Sequence, residues 1–231
     1  MYENQRRNST QGGAYDVDTL LSADIVRFLP TATAGDVLDY GAGNSPYRPF
    51  LRCNRYATAD ITQNTAGNIE HLIVPGRPLP EADASFDLIL LMDVLEHLPD
   101  PDAVITELRR LLRPGGRLIV SVPFLYREHE TPHDYVRYTP FGLRRLFASH
   151  GGAVLRLSKA GNIWYTLYTL FLERGITEGE HITLGIAGRL VNKLARMALP
   201  LLRPLLDGTV PDNASIYHHL LLEVGFTEQA L

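Results

Sequence analysis

Apolar positions along this chain follow two spacings. Short runs with little polar interruption occur at Asp36–Asp39, Tyr56–Asp60, Phe86–Met92 and Arg117–Val122, and each reads as a strand. Phe86-Asp-Leu-Ile-Leu-Leu-Met92 is apolar almost throughout, as expected of a strand covered on both faces. Weaker runs predict further strands near Ile69–Val74, Val154–Ser158 and Ile216–Val224. Between them lie amphipathic segments with clear start signals. Asp18 or Thr19 caps a predicted helix through Leu29, just before Pro30. Asp100-Pro101 opens another that runs to about Leu112, where Arg113-Pro-Gly-Gly116 turns the chain. Thr139-Pro140 opens a third, ending near Gly151-Gly152. This alternation up to residue 150 predicts an α/β sheet, largely parallel and covered by helices on both sides.

Composition narrows the partners. With 231 residues, 45% of them hydrophobic and 21% charged, the chain suits one domain, 1–231, with a full core. Residues 1–17 are polar and read as an arm without the apolar stretch of a signal peptide. The net charge of -4 and the lack of a basic run argue against a nucleic-acid partner. Cys53 stands alone, which excludes an internal disulfide framework and a cysteine zinc site. A reducing, cytoplasmic setting is the natural expectation. No stretch reaches the roughly 18–20 apolar residues of a membrane-spanning helix.

The first strand runs into Asp39-Tyr-Gly41-Ala42-Gly43-Asn-Ser-Pro46. Glycines there let the backbone turn sharply and lie against a ligand. A loop at the carboxyl end of the first strand borders the crevice where open α/β sheets bind ligands. Asp60, 21 residues beyond Asp39, ends the second strand, where a carboxylate can accept hydrogen bonds from both ribose hydroxyls. Pro46 takes the place of the third glycine of a dinucleotide fingerprint. Asp39 is poorly placed for a pyrophosphate and well placed near a cationic amino-acid group. These departures favour S-adenosylmethionine over NAD.

Three further segments share one order and spacing: Leu79-Pro-Glu-Ala-Asp-Ala-Ser-Phe-Asp-Leu-Ile-Leu90, Asp93-Val-Leu-Glu-His-Leu-Pro-Asp-Pro101, and Leu108-Arg-Arg-Leu-Leu-Arg-Pro-Gly-Gly-Arg-Leu-Ile-Val120. With the glycine loop they closely resemble the class I S-adenosylmethionine-dependent methyltransferases, most of all the small-molecule branch called methyltransferase type 11, over roughly residues 35–150. The resemblance implies a Rossmann-like, doubly wound, seven-stranded sheet, mostly parallel with an antiparallel last strand. It implies S-adenosylmethionine as cofactor and S-adenosylhomocysteine as product. Asp39, Gly41, Ala42 and Gly43 would cradle the methionine part, Asp60 would hold the ribose, and Ile61 would lie against the adenine. Asp93 would border the cofactor and the reacting methyl group. Glu96 and His97 match the family pattern, either as a helix start packed under the site or as a contact.

After the fifth strand comes Pro123-Phe-Leu-Tyr-Arg-Glu-His-Glu-Thr-Pro-His-Asp-Tyr-Val-Arg-Tyr-Thr-Pro-Phe-Gly142, the most polar and aromatic stretch of the core. It resembles the His-Asp-Tyr-x-Arg-Tyr/Phe-Thr-Pro segment of a subset of that family. Methyl transfer needs an acceptor held in line and, for a hydroxyl, a base with a pKa near 7. His129 and His133 are candidate bases, Asp134 a candidate to orient one of them, and Arg137 a candidate to bind an anionic group. The plainer alternative is that Asp134 and Arg137 pair and pin the loop. His129-Glu-Thr-Pro-His133 spells H-E-x-x-H, but that zinc motif needs a continuous helix, which Pro132 opposes, and no metal is expected.

Residues 161–212 form an apolar, helical insertion before the last strand. Leu184–Leu206 holds four basic residues and no acid, with Arg189, Lys193 and Arg196 on one predicted face and Pro200 and Pro204 interrupting it. A lid over the acceptor site, a homodimer interface and peripheral membrane contact each fit this pattern. The expected activity is methyl transfer to an O or N atom of a small molecule such as a sugar, a natural product or a lipid-linked precursor. The missing Asn-Pro-Pro-Tyr type motif argues against nucleic-acid amino groups. The alternatives are an NAD-dependent oxidoreductase and a non-catalytic domain that binds the cofactor and mediates assembly.

Overall fold

The computed structural model describes residues 18–32, 35–169 and 210–226, together with Leu194, Met197, Leu201 and Leu205. The expectations placed on the arm 1–17 and on Arg189, Lys193 and Arg196 concern chain outside the described residues.

Strands form where the apolar runs predicted them: β1 (Asp36–Tyr40), β2 (Arg55–Asp60), β3 (His71–Leu72), β4 (Phe86–Met92), β5 (Leu112–Pro123), β6 (Gly152–Ala160) and β7 (His219–Phe226). They make one seven-stranded sheet in the order β3-β2-β1-β4-β5-β7-β6. The first five run parallel, and β7 is antiparallel to both β5 and β6. This is the doubly wound α/β sheet expected from the sequence. The third strand is shorter than expected. The last starts at His219 rather than Ile216. The Arg113–Gly116 turn lies within an extended β5, as an irregularity between the Phe86–Leu112 and Leu88–Arg117 pairs.

The apolar strands are buried twice over because successive side chains point to opposite faces. In β4, Ile89 and Leu91 join the core that includes Ile105, Leu108, Leu111, Leu143 and Phe147. Leu88, Leu90 and Met92 join the opposite core with Ile25, Phe28 and Leu29. Helix α1 (Asp18–Phe28) therefore covers one face, while α2 (Pro101–Leu111) and α3 (Pro140–Ser149) cover the other. The cap signals act as read. The Asp100 carboxylate accepts from the Ala103 N–H at 3.1 Å, and the Thr139 hydroxyl accepts from the Gly142 N–H at 3.1 Å.

Regular alternation fails between β1 and β2. Pro46 and Pro49 leave only a 3-10 turn there, Arg48–Phe50. A short helix α4 (Ile163–Tyr168) opens the insertion, its first turn capped by Asn162. Among the described residues no helix is long and apolar enough to cross a membrane. The strand order reverses between the parallel neighbours β1 and β4. The carboxyl edge beside that switch point is where such sheets bind ligands.

Candidate active site

The glycine loop leaves β1 at this edge. Gly41 has φ +79°, and a Cβ on it would lie 2.2 Å from Val94 Cγ2, so only glycine fits. The Gly41 and Ala42 N–H groups donate to the Ala59 carbonyl at 2.8 and 3.0 Å, which ties the loop to the end of β2. Gly43 N–H donates to Asp60 Oδ2 at 2.8 Å, and Asn64 donates to the Gly43 carbonyl at 2.7 Å. Asp60 therefore shapes the loop. Asp39 is buried, and its Oδ2 accepts from the Tyr56 hydroxyl at 2.7 Å. Burial, reinforced by the Asp39 carboxylate, pushes the Tyr56 phenol well above its ordinary value and keeps it a donor. Beside Asp60, Ile61 stands 53% exposed. Two buried carboxylates flanking a glycine cradle, next to an exposed apolar side chain, suit a ligand that is cationic at one end, a ribose in the middle and a flat ring at the other. A dinucleotide pyrophosphate would meet those carboxylates as like charges.

At the end of β4, Asp93 takes a left-handed φ of +53°. Asp93 Oδ1 accepts from the Ser121 hydroxyl at 2.8 Å and pairs with His219 Nε2 at 3.3 Å. The surrounding protein desolvates Asp93 and by itself would raise its pKa. The facing His219, the Ser121 hydroxyl and the His129 charge outweigh this and hold it at about 2. His219 and Ser121 did not stand out in the sequence. An antiparallel strand presents its first residue where parallel neighbours present their last, so His219 arrives opposite Pro123 at the carboxyl edge. Two adjacent histidines opening an otherwise apolar strand were the available signal.

The histidine segment folds back over the 3-10 turn Leu95–His97 that follows Asp93. Tyr135 N–H donates to the Glu96 carbonyl at 2.9 Å, and His97 Nδ1–H donates to the His133 carbonyl at 2.8 Å. His97 Nε2 and His129 Nε2 come within 3.1 Å of each other. As the letters predicted, Pro132 leaves no helix across the H-E-x-x-H run. Asp134 and Arg137 pair through two short contacts of 2.5 and 2.6 Å. Asp134 also accepts the His129 backbone N–H at 3.0 Å and sits 3.2 Å from His129 Nδ1. Burial alone would raise the Asp134 carboxyl, but Arg137 and the His129 backbone N–H hold it at about 2. The structure thus brings His129, Asp134 and Arg137 together. The His133 ring turns away from this group and meets the Tyr135 hydroxyl at 3.0 Å.

A family model described as a methyltransferase domain matches residues 14–157. An O-methyltransferase, rstn1, from Aspergillus nomiae is 33% identical over 107 residues, 46% of this chain and 46% of that protein. A ubiquinone biosynthesis O-methyltransferase from Xylella fastidiosa is 54% identical over 43 residues, 19% of this chain and 18% of that protein. The chain thus spans less than half the length of these curated relatives. Among solved structures, the [4+2]-cyclase SpnF superposes with a TM-score of 0.56 at 18% identity, over 97% of this chain and 86% of that one. The Burkholderia thailandensis 1,6-didemethyltoxoflavin-N1-methyltransferase, with S-adenosylhomocysteine bound, gives 0.51 at 16% identity, over 98% and 80%. At these identities the structural likeness speaks for the fold.

Proposed function

The chain belongs to the class I S-adenosylmethionine-dependent methyltransferases, and we propose that it methylates an oxygen atom of a small molecule seated beside Asp93 and His219. Bound S-adenosylmethionine supplies a methyl group on a sulfonium, and S-adenosylhomocysteine is what leaves. Family membership decides against the NAD-dependent oxidoreductase.

In this reading Asp39 faces the cofactor's ammonium end, Asp60 takes the ribose hydroxyls, and Ile61 packs against the adenine. Asp93 does the work on the acceptor. Its Oδ1 is committed to Ser121 and His219, and its side chain is 34% exposed. Oδ2 is left to accept the acceptor's O–H and hold it in line for displacement. The proton leaving that oxygen passes to the Asp93–His219 pair. The carboxylate–imidazole pair at the carboxyl edge is the observation that carries this reading. Both named relatives are O-methyltransferases, which supports oxygen over nitrogen.

The test is to incubate the full chain with S-adenosylmethionine and a panel of small phenols, sugars and hydroxy acids, reading products by mass spectrometry. A product heavier by one methyl, formed with S-adenosylhomocysteine, is expected from an O–H acceptor. Asp93→Asn should cut turnover by about 100-fold, in the range of a lost acid–base group. Its S-adenosylmethionine affinity, read by calorimetry, should change far less. Cofactor binding without transfer to any acceptor class would favour the non-catalytic reading instead.

A further inference from the structure

Glu96, His97 and His129 offer ligand atoms that all lie within 4.8 Å of one another. His97 Nδ1 faces only the His133 carbonyl, an acceptor, at 2.8 Å, so the ring hydrogen sits on Nδ1. His129 Nδ1 faces the Arg127 carbonyl at 3.3 Å and the Asp134 carboxylate at 3.2 Å, both acceptors. Its hydrogen is fixed on Nδ1 in the same way. With a hydrogen on each Nδ1, the two Nε2 atoms point at each other across 3.1 Å, and unless one carries a proton both present bare lone pairs. Two lone pairs at that distance need a positive centre between or beside them.

The surrounding charge is arranged for one. Glu96 is fully buried, and among the described residues neither of its carboxylate oxygens has a hydrogen-bond partner. A buried carboxylate in that state is costly unless a cation answers it. Glu96 Oε1 lies 3.6 Å from His97 Nε2 and 3.7 Å from His129 Nε2. Glu130 Oε2 lies 3.8 Å from His97 Nε2. Two nitrogens held about 2.0–2.1 Å from a tetrahedral zinc ion stand roughly 3.3 Å apart, with carboxylate oxygens at similar spacing. Asp134, itself clamped by Arg137, stands behind His129 as the carboxylate that orients a metal-bound imidazole.

We propose that Glu96, His97, His129 and Glu130 form a binding site for a divalent first-row transition cation, with zinc the best match to the spacing. Two imidazoles select such a cation over magnesium or calcium. The H-E-x-x-H run therefore contributes its first two letters to a site completed by Glu96-His97 from the end of β4. A second cluster, Glu70, His71 and Glu81, has similar spacing but is already neutralised: Arg55 bonds Glu70 at 2.8 Å and Glu81 Oε2 at 3.1 Å.

The experiment uses the untagged full chain stripped with chelator, titrated with Co2+ by visible absorption and with Zn2+ by calorimetry. One equivalent of each should bind, the Co2+ form showing the intense visible bands of a four-coordinate site. His97→Ala and His129→Ala should each weaken binding at least about tenfold, as His71→Ala should not. A proton shared between the two rings is the rival occupant. Absence of saturable Co2+ or Zn2+ binding by the wild-type chain would establish it and overturn the proposal, whatever the variants do. Binding that survives both histidine substitutions would also overturn it. S-adenosylmethionine calorimetry on the stripped chain reports the transferase reading separately, so the two fail independently.

Discussion

Single residues set the chemistry here through backbone strain and buried charge. Gly41 combines a positive φ with a neighbour that leaves no room for a methyl group. Gly41→Ala should cost about 2–4 kcal/mol, adding the left-handed penalty to overpacking against Val94, and should weaken cofactor binding with it. Urea denaturation and calorimetry would show both. His218 gives a pH signature. Burial, helped by the neighbouring His219 charge, lowers its pKa to about 2. In the unfolded chain a histidine takes up its proton near pH 6.5. Between those values the unfolded state holds the extra proton, so stability falls as pH falls below about 6.5. From pH 7 to 5 the contribution is a loss of about 2 kcal/mol. Chemical denaturation at both pH values should show it, and His218→Phe should flatten the slope by a similar amount.

Elements place these residues. The caps of α2 and α3 were legible because a capping bond joins groups two or three positions apart. Thr139→Ala should therefore cost about 1 kcal/mol by denaturation, without changing cofactor affinity, since the lost bond is the cap to the Gly142 N–H. The strands were legible because a doubly buried strand must be apolar on both faces. Their ends were less so. The starting point of β7 decided whether His219 lies inside the sheet or at its edge, and hydrophobicity does not mark that boundary within three residues. Between the first two strands the chain forms only a 3-10 turn, Arg48–Phe50.

At the scale of the whole molecule, the switch point collects the loops after β1, β4 and β5 and the start of β7 on one edge. A ligand bound there touches elements from four parts of the chain and should stabilise all of them. At a hundred times its dissociation constant, S-adenosylmethionine should add about 2.7 kcal/mol to unfolding, while NAD adds nothing. Thermal denaturation with each ligand checks this. Asp60→Ala should abolish most of the S-adenosylmethionine effect, because it removes both a ribose partner and the Gly43 anchor. His133→Ala should leave it nearly intact, since that ring faces Tyr135.

The sequence by itself determined the sheet, its helical cover and the glycine loop at the end of the first strand. Each rests on local physics: apolar periodicity, capping bonds, and glycines next to an acid at the end of a strand. Only the tertiary structure decided which polar residues meet. His129 reaches His97, 32 positions away in sequence, because the segment after β5 folds over the turn after β4, held by the Tyr135 N–H on the Glu96 carbonyl and the His97 side chain on the His133 carbonyl. His219 reaches Asp93 because β7 runs antiparallel. Neither meeting leaves a mark on hydrophobic pattern or spacing, since a contact between distant side chains is set by how strands order and turn in space.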